Sequence, residues 1–553
     1  MSKQIDGIAY SNMLKRAAIN LRNHAGEIND LNVFPIPDGD TGDNMLLTLM
    51  GGVDALKSES ASLAEVSRNV ANGMLFSARG NSGVILSQFF DGIAAGLSES
   101  DVADSRQLSK AFRMGVKHAY NAVMKPTEGT ILTVARDATE FAYKKKSDDP
   151  EEFFGSFIEE GKRSLDRTPD LLPMLKKAGV VDSGAAGLIC IVEGMFSALD
   201  GDTSYDYTQL NTLPKASGAD ELNLDAFNED SVLEFGYCTE LLVRLQNAKT
   251  DIENFDISVV TDFLQTLGDS IAAFKTGSIV KIHVHTKTPD KVLAFCQQYG
   301  EFLKLKIENM TLQHNNTMSE EASDKLSEET NTERKAYAVV AVACGEGIQQ
   351  TFREIGADVI VEGGQSMNPS SEDFLKAFDK VNADTIFVFP NNSNVIMAAK
   401  QAAQLYDKAD VRIMNSRTIG DGYAALTMTD GELTDPDEVE AIFNIGMENV
   451  VTAEVSQCVR DADMQDVQVH KGDYIGFVGK NILSAMPERK SATTAMCDKI
   501  DWKSHDICIL IKGIDSTPEE ADEIKRYIES KHGTEVYIVD GKQEIYSYIL
   551  IAE

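Results

Sequence analysis

The sequence contains no GxxxxGK[ST] loop, no CxxC pair and no apolar run approaching the ~18 residues of a membrane-spanning helix. The first absence excludes a P-loop nucleotide site, and the third excludes an integral membrane segment. The start, MSKQIDGIAYSNMLKRAAIN, lacks the apolar core of a signal peptide. Basic charge is short: 52 Lys and Arg stand against 87 Asp and Glu, a formal charge of −35. Such a surface repels phosphate backbones and anionic lipid, which argues against nucleic-acid or membrane-surface binding. The seven cysteines are scattered, fitting a reducing cytoplasm rather than a disulfide framework. These absences predict a soluble cytoplasmic protein and leave its activity open.

What is present is ample: 553 residues, 43% of them apolar and 25% charged, enough for three or four domains at about 150 residues each. Over residues 1–202 apolar positions recur at helical spacing, predicting helices at Ile8–Leu21, Met45–Leu56, Leu63–Phe76, Val84–Leu97, Leu108–Val123, Ile131–Tyr143, Phe153–Leu165 and Gly187–Leu199. Residues 203–231 are polar and read as a linker. Residues 232–315 alternate like strands at Phe235–Leu245 and Ser278–Thr286, with helical stretches at Val259–Leu267 and Asp290–Tyr299, predicting a small α+β unit. Residues 316–335 form a polar, acidic seam. From 336 to 553 strand-like runs (336–343, 358–362, 385–390, 411–415, 507–512 and 535–539) alternate with helices, the pattern of an α/β domain with a partly parallel sheet.

The most informative stretch is LNVFPIPDGDTGDNM, Leu31–Met45. Pro35 and Pro37 stiffen it, Gly39 and Gly42 permit tight backbone geometry, and Asp38, Asp40 and Asp43 crowd one turn. Three carboxylates this close repel unless a cation neutralises them, and a hard divalent ion such as Mg²⁺ takes oxygen ligands in this way. A lone DGD serves equally well as an acidic turn capping a helix; the rigid frame favours the cation. The EF-hand pattern is absent. A second cluster, ARGNSGVILSQ at Ala78–Gln88, places Arg79, Gly80, Asn81, Ser82 and Gly83 before an apolar helix, where unpaired N–H groups can cradle phosphate. PTEGTILTVARDA (Pro126–Ala138) and AGVVDSGAAGL (Ala178–Leu188) likewise set Gly and hydroxyl residues at helix starts.

In the middle segment FGYCTE carries Cys238, and KIHVHT carries His283 and His285. On a strand the two histidines share a face, and two imidazoles with one thiolate suit tetrahedral Zn²⁺ with an open fourth position. Exposed strand histidines are also common, and the spacing alone leaves both readings standing. Thr239 and Glu240 are neighbours that could support the ligands. In the last segment VEGGQSMNPSS (Val361–Ser371) and FPNNSNV (Phe389–Val395) are strand-end loops, the usual place for ligands in an α/β sheet and equally for plain turn chemistry.

PDGDTGDNM, RGNSG, EGT and VDSGAAG resemble the ATP-binding subunit of the dihydroxyacetone kinases, and the whole chain resembles that of bacterial fatty acid kinase, with GYCTE and HVHT as further marks. The resemblance implies an all-α eight-helix up-and-down barrel, a small α+β middle domain and a DegV-like α/β domain. It implies ATP held through two Mg²⁺ ions at Asp38 and Asp40, with Asn32 near a third metal-binding position. Nucleotide contacts are implied at Thr41, Gly42, Asn44, Asn81, Ser82, Gly83, Thr130, Asp182, Ser183 and Gly184. Zinc is implied at Cys238, His283 and His285. Asp43 departs from the family pattern and is read as a helix cap.

The expected reaction is phosphorylation of a fatty acid's carboxylate, giving an acyl-phosphate for phospholipid synthesis. The fatty acid would be presented by a separate DegV-type fatty-acid-binding protein docked on the last domain, with a homodimer left open. The alternatives are a kinase for a small hydroxy-ketone such as dihydroxyacetone, or a non-catalytic nucleotide-binding regulator. In the sequence two seams separate the acidic turn from the last domain, which leaves room for domain movement during turnover.

Overall fold

The computed structural model describes residues 4–32, 39–56, 60–200, 237–309 without 253, 254, 256 and 277, and 334–553 without 365–367, 430–432, 449, 465 and 466. The linker at 203–231, most of the seam at 316–335, and Asp38 lie outside these residues. The chain divides into two compact units, one of Met1–Leu213 with Arg334–Glu553 and one of Pro214–Glu333.

The helical part consists of α1 (Gly7–Asn29), α2 (Thr41–Asp54), α3 (Leu63–Ser77), α4 (Gly80–Gly96), α5 (Ser105–Asn121), α6 (Ile131–Lys145), α7 (Pro150–Leu171), the short α8 (Pro173–Ala178) and α9 (Ser183–Ser197). Side chains of Asp6, Ser62, Asp104, Thr130, Asp149 and Asp182 accept N–H groups two or three residues on and so start six of them. Each such cap contributes about 1 kcal/mol. The long helices α1 to α7 pack on their sequence neighbours, and α9 returns onto α1, closing an up-and-down ring. The closure is tight because Gly194 of α9 lies against Ala17 of α1, where a Cβ would come within 2.6 Å of its Cα. The interior is apolar, and Phe112 is its aromatic hub, edge-on to Phe89, Phe153, Phe154 and Phe157 at 5.1–5.8 Å. The only strand pairing among the described residues here is a two-residue bridge, Ile5–Asp6 with Val102–Ala103.

The middle unit is an antiparallel sheet of β1 (Tyr237–Leu245), β2 (Gly268–Thr276), β3 (Ile279–Thr286) and β4 (Gly300–Asn309), in the order β2–β3–β1–β4. Its helices are α10 (Ser258–Gln265) and α11 (Pro289–Cys296). Leu241, Val243, Val280, Ile282 and Val284 alternate along β1 and β3 and form the core with Val260, Leu264 and Val292.

The C-terminal part has two large sheets, besides a two-stranded antiparallel ribbon of Ala462–Met464 and Val467–Val469. The first is parallel: β5 (Lys335–Ala343), β6 (Val359–Glu362), β7 (Ala383–Phe389) and β8 (Asp410–Ile413), ordered β8–β7–β5–β6. Its helices are α12 (Glu346–Glu354), α13 (Ser371–Asp379), α14 (Ile396–Leu405), α15 (Ile419–Thr427) and α16 (Pro436–Glu448). The second is mixed: β9 (Val451–Gln457), β10 (Tyr474–Val478), β11 (Asn481–Met486), β12 (Ile507–Lys512), β13 (Glu535–Asp540) and β14 (Tyr548–Ala552), with α17 (Arg489–Cys497) and α18 (Pro518–His532). Only β12 and β13 pair in parallel there; the others are antiparallel.

The helical and C-terminal parts share a hydrophobic cluster. Ala78 and Val84 at the head of α4 are buried with Val340, Val342, Val361, Phe374 and Phe378 of the parallel sheet and α13. Gln401 of α14 donates to the Leu75 carbonyl at 2.6 Å. The parts that the sequence separates by two seams are thus packed together. Among the described residues no helix is long and apolar enough to cross a membrane.

Candidate functional site

An up-and-down ring brings every second helix start to one end, and four of the sequence-flagged clusters meet there. Asp40 occupies the N-cap position of α2, but its carboxylate makes no cap bond. The backbone beneath it is clamped to α1. The Gly42 N–H donates to Asn29 Oδ1 at 2.7 Å, and Asn29 Nδ2 donates to Asp43 Oδ2 at 2.8 Å. Asp43 is therefore a first-turn residue tied to α1 rather than the cap itself. Glycine is required at 42, since a Cβ would lie 2.3 Å from the Ala25 carbonyl oxygen. Asn32 lies beside Gly39, whose Cβ would be 3.5 Å from that of Asn32.

The RGNSG cluster begins α4 rather than preceding it: Arg79 is the N-cap, and Asn81, Ser82 and Gly83 form the first turn. Gly80 adopts φ +58°, and a Cβ there would meet the Asn44 amide nitrogen at 2.6 Å. Gly83 faces Thr48 of α2, and a Cβ there would come within 2.4 Å of the Thr48 Oγ1. These contacts bind the starts of α2 and α4 together.

At the start of α9, Ser183 Oγ donates to Thr41 Oγ1 at 3.3 Å, and a Cβ on Gly184 would lie 3.5 Å from both Ser82 Oγ and Ile131 Cβ. Asp182 caps α9 by accepting from the Ala185 N–H at 2.8 Å, and the Ile131 N–H at the start of α6 also bonds it. Thr130 caps α6, accepting from Leu132 N–H at 3.4 Å and donating to the Thr127 carbonyl at 2.8 Å. Glu128 of the EGT motif is held by Thr133 and Arg136, both at 2.7 Å, and anchors that loop. The starts of α2, α4, α6 and α9 therefore converge, and their unpaired N–H groups and dipoles make the region favourable to an anion.

Two half-buried carboxyls, Asp40 and Asp182, stand in this ring. Burial pushes Asp40 up to about 6, against a lowering hydrogen bond from Asn44. Burial also pushes Asp182 up to about 6, opposed by the Ala185 and Ile131 amides. A carboxylate so desolvated favours either a proton or a cation. The oxygen-rich surroundings (Asp40, Thr41, Ser183 and the Asn44 amide) suit a hard divalent ion. Among the described residues no three His, Cys, Asp or Glu side chains converge on one point.

Sequence reasoning missed two contributors. Asn29, at the end of an apolar helix, carries no local signal. Asn368, in a loop flagged only as a strand-end loop, donates to Asp40 Oδ2 from the C-terminal part. Asn81, expected on the nucleotide, turns the same way and donates to Asn394 Oδ1 at 3.2 Å.

In the middle unit the register sets Cys238 opposite His285 and Glu240 opposite His283. The intervening Thr239, Leu241, Ile282 and Val284 are buried. Thr239 falls on the core side, which removes it as a supporting neighbour; the period of two decides this.

Comparison with known proteins gives matches over most of the chain. Residues 35–197 match the DAK2 domain, residues 234–317 the middle domain of FakA-like fatty acid kinase proteins, and residues 338–553 their C-terminal domain. Protein YloV of Bacillus subtilis is 38% identical over the full length of both chains. Among solved structures, the dihydroxyacetone kinase from C. freundii in complex with AMP-PNP and Mg²⁺ is 16% identical, covering 36% of this chain and 35% of its own, with a TM-score of 0.28. DegV, a fatty acid binding protein from Bacillus subtilis, is 12% identical, covering 39% of this chain and 98% of its own, with a TM-score of 0.30. With full-length identity to YloV and family matches in all three segments, the chain belongs to the FakA-like fatty acid kinase family.

Proposed function

We propose that this chain is the ATP-binding, phosphoryl-transferring subunit of a kinase whose substrate is the carboxylate of a fatty acid held by a separate fatty-acid-binding protein, the product being an acyl-phosphate. The observation that carries the reading is the half-buried, desolvated Asp40 carboxyl at the junction of four helix starts, one place suited to both a cation and a polyphosphate. Asp40, with Asp38 beside it in sequence, would hold Mg²⁺, and the ion would neutralise charge on the phosphates. Asn32 stands close enough to Gly39 to support the same turn. Thr41, Asn44, Ser82, Gly83, Thr130, Asp182, Ser183 and Gly184 line or brace the phosphate end, and Gly42 fixes the turn to α1.

A carboxylate is already nucleophilic at neutral pH, so the protein needs no strong general base. Its work is to orient the phosphates on the helix starts, hold Asp40 in place and keep water away from the transferring group. Beside α4, a groove of about 590 Å³ runs from Val84 and Gln88 past Ser393 to Lys125, Lys400 and Arg417. Among the described residues none that lines it is acidic, in a protein of charge −35. It offers an approach for a carboxylate one helical turn from the phosphate loop. The test is an assay with Mg-ATP and fatty-acid-loaded carrier protein. Carrier-dependent ADP release with hydroxylamine-trappable acyl-phosphate is expected; ADP release that needs only dihydroxyacetone, or no turnover with any loaded carrier, would overturn the reading.

We further propose a zinc site of Cys238, His283 and His285, two imidazoles and one thiolate whose positions the register sets on adjacent strands, Cys238 opposite His285. Zinc there would tie β1 to β3 and leave a fourth position open. About one zinc per chain is expected by elemental analysis, falling well below half in Cys238→Ser. Equal zinc in both proteins would refute the assignment.

A further inference from the structure

The loop between β6 and α13 belongs to the C-terminal part, yet it ends against the acidic turn. Its Asn368 is 1% exposed and donates from Nδ2 to Asp40 Oδ2. Its Oδ1 is buried with no hydrogen-bond partner among the described residues. Its carbonyl accepts from Arg79 Nη1 at 2.8 Å, and Arg79 also faces Asp373 at 3.6 Å. Arg79 and Ser370 form a backbone bridge, and the Ser371 N–H donates to the Ala78 carbonyl at 3.3 Å. The Ser370–Asp373 capping box then fixes the start of α13. A Cβ on Gly80 would approach the Asn368 amide nitrogen at 3.3 Å, so the loop fills the space beside the phosphate-loop glycine.

We propose that Asn368 is a positioning residue for the metal–nucleotide site: it orients the Asp40 carboxylate, so the C-terminal part completes in cis a site that the helical ring supplies only in part. This rests on the proposed role of Asp40 in holding Mg²⁺.

The physical case is one of freedom removed. Asp40 accepts no cap bond from the backbone N–H groups of its own helix, so its carboxylate is free to rotate unless other side chains hold it. Two amides do: Asn44 from α2 and Asn368 from the C-terminal loop. Asn368 is itself held through its backbone by Arg79, the residue that opens α4. The unpartnered Asn368 Oδ1 adds an oxygen at the same place, available to a cation or to its bound water. Partners that orient a metal ligand are typically worth about 10- to 100-fold in metal affinity.

The experiment uses the full-length protein and titration calorimetry with a non-hydrolysable ATP analogue, with Mg²⁺ and with EDTA. Asn368→Ala removes the amide, and Asn368→Leu removes it while keeping its approximate volume. Both are expected to weaken Mg²⁺-dependent nucleotide binding about tenfold or more. Binding in EDTA should stay within twofold of wild type, with an unchanged melting temperature for Asn368→Leu. A merely structural role would weaken both conditions equally, or leave Asn368→Leu like wild type, and either result would overturn the proposal. Wild-type protein that shows Mg²⁺-dependent binding while both variants match it would overturn this inference alone. Wild-type protein with no Mg²⁺-dependent nucleotide binding would overturn the proposed function along with it.

Discussion

Asp40→Asn should lower carrier-dependent phosphoryl transfer by about a thousandfold while the protein stays folded. The change keeps the side chain's shape and removes its charge, so what is lost is the electrostatic attraction for the cation and the fixed geometry it gives to the phosphates. Losing a single preorganised charge-stabilising group at a transferring centre typically costs about 10²–10³ in rate, and a group that also holds the metal belongs at the upper end. Stability should move the other way. Burial raises the Asp40 carboxyl from its ordinary 3.8 to about 6, so between those values the folded chain keeps a proton that the unfolded chain has released. The associated stability is fully present below the unfolded value and is lost as pH rises through the folded one. At pH 7 without metal the ionised carboxylate thus costs the fold up to about 3 kcal/mol, since a tenfold change in proton affinity is worth about 1.4 kcal/mol. Asp40→Asn removes that cost. In EDTA at pH 7.5 its melting temperature should equal or exceed the wild-type value, and the gap should close towards pH 4. Adding Mg-ATP should stabilise wild type and leave the variant unmoved. Activity within tenfold of wild type, or a variant that melts well below it, would remove Asp40 from its proposed role.

Phe112→Ala is the contrasting case, expected to disable the protein by loosening the ring rather than emptying the site. Phe112 is 1% exposed and stands edge-on to four other aromatic rings from α4 and α7, the nearest at 5.1 Å. Removing a buried phenyl forfeits its transfer free energy and leaves a cavity that rigid neighbours fill poorly, together about 3–5 kcal/mol. That is a large part of the roughly 5–15 kcal/mol by which a domain is stable. Chemical denaturation followed by a signal from the helical part should show the loss. Saturating Mg-ATP should restore about 2.7 kcal/mol of it at a hundred times Kd, because the nucleotide binds only the folded ring. A destabilisation under about 1 kcal/mol would show that the aromatic hub packs loosely enough to repack.

Eight helices of the first 200 residues are legible because each is long, amphipathic and, in most cases, opened by a side chain that captures free N–H groups; the six-residue α8 carries no such signal. Their apolar spacing near 3.6 is strong over 14 to 23 residues. The parallel strands of the C-terminal part are also legible, since β5 and β7 are apolar runs bounded by polar turns. Strands β9, β10, β11 and β14 carry no comparable mark. β14 is buried along its whole length, and β9 and β10 lack clean alternation, so no period of two stands out. β2 and β4 escape for a related reason: they pair as edge strands of the middle sheet, and β4 mixes Lys and Glu with its apolar residues. The periodicity places the start of α4 four residues late, because glycine at 80 and 83 weakens the helical signal. Those glycines are there for tertiary reasons, the close approaches to Asn44 and Thr48.

The sequence by itself determined the helical class of the first part and the family, because helix periodicity and the PDGDTG and RGNSG motifs are local and compact. Only the tertiary structure decided that Asp182, Ser183, Thr130 and Asp40 lie at one end of one ring, since that follows from the alternating direction of packed helices. The tertiary structure also decided that burial lifts the Asp40 carboxyl towards neutrality and that Asn368, 328 positions further along the chain, reaches it. Desolvation and long-range contact are properties of what surrounds a residue in space. A polar asparagine in a loop carries no mark of them until the chain has folded around it.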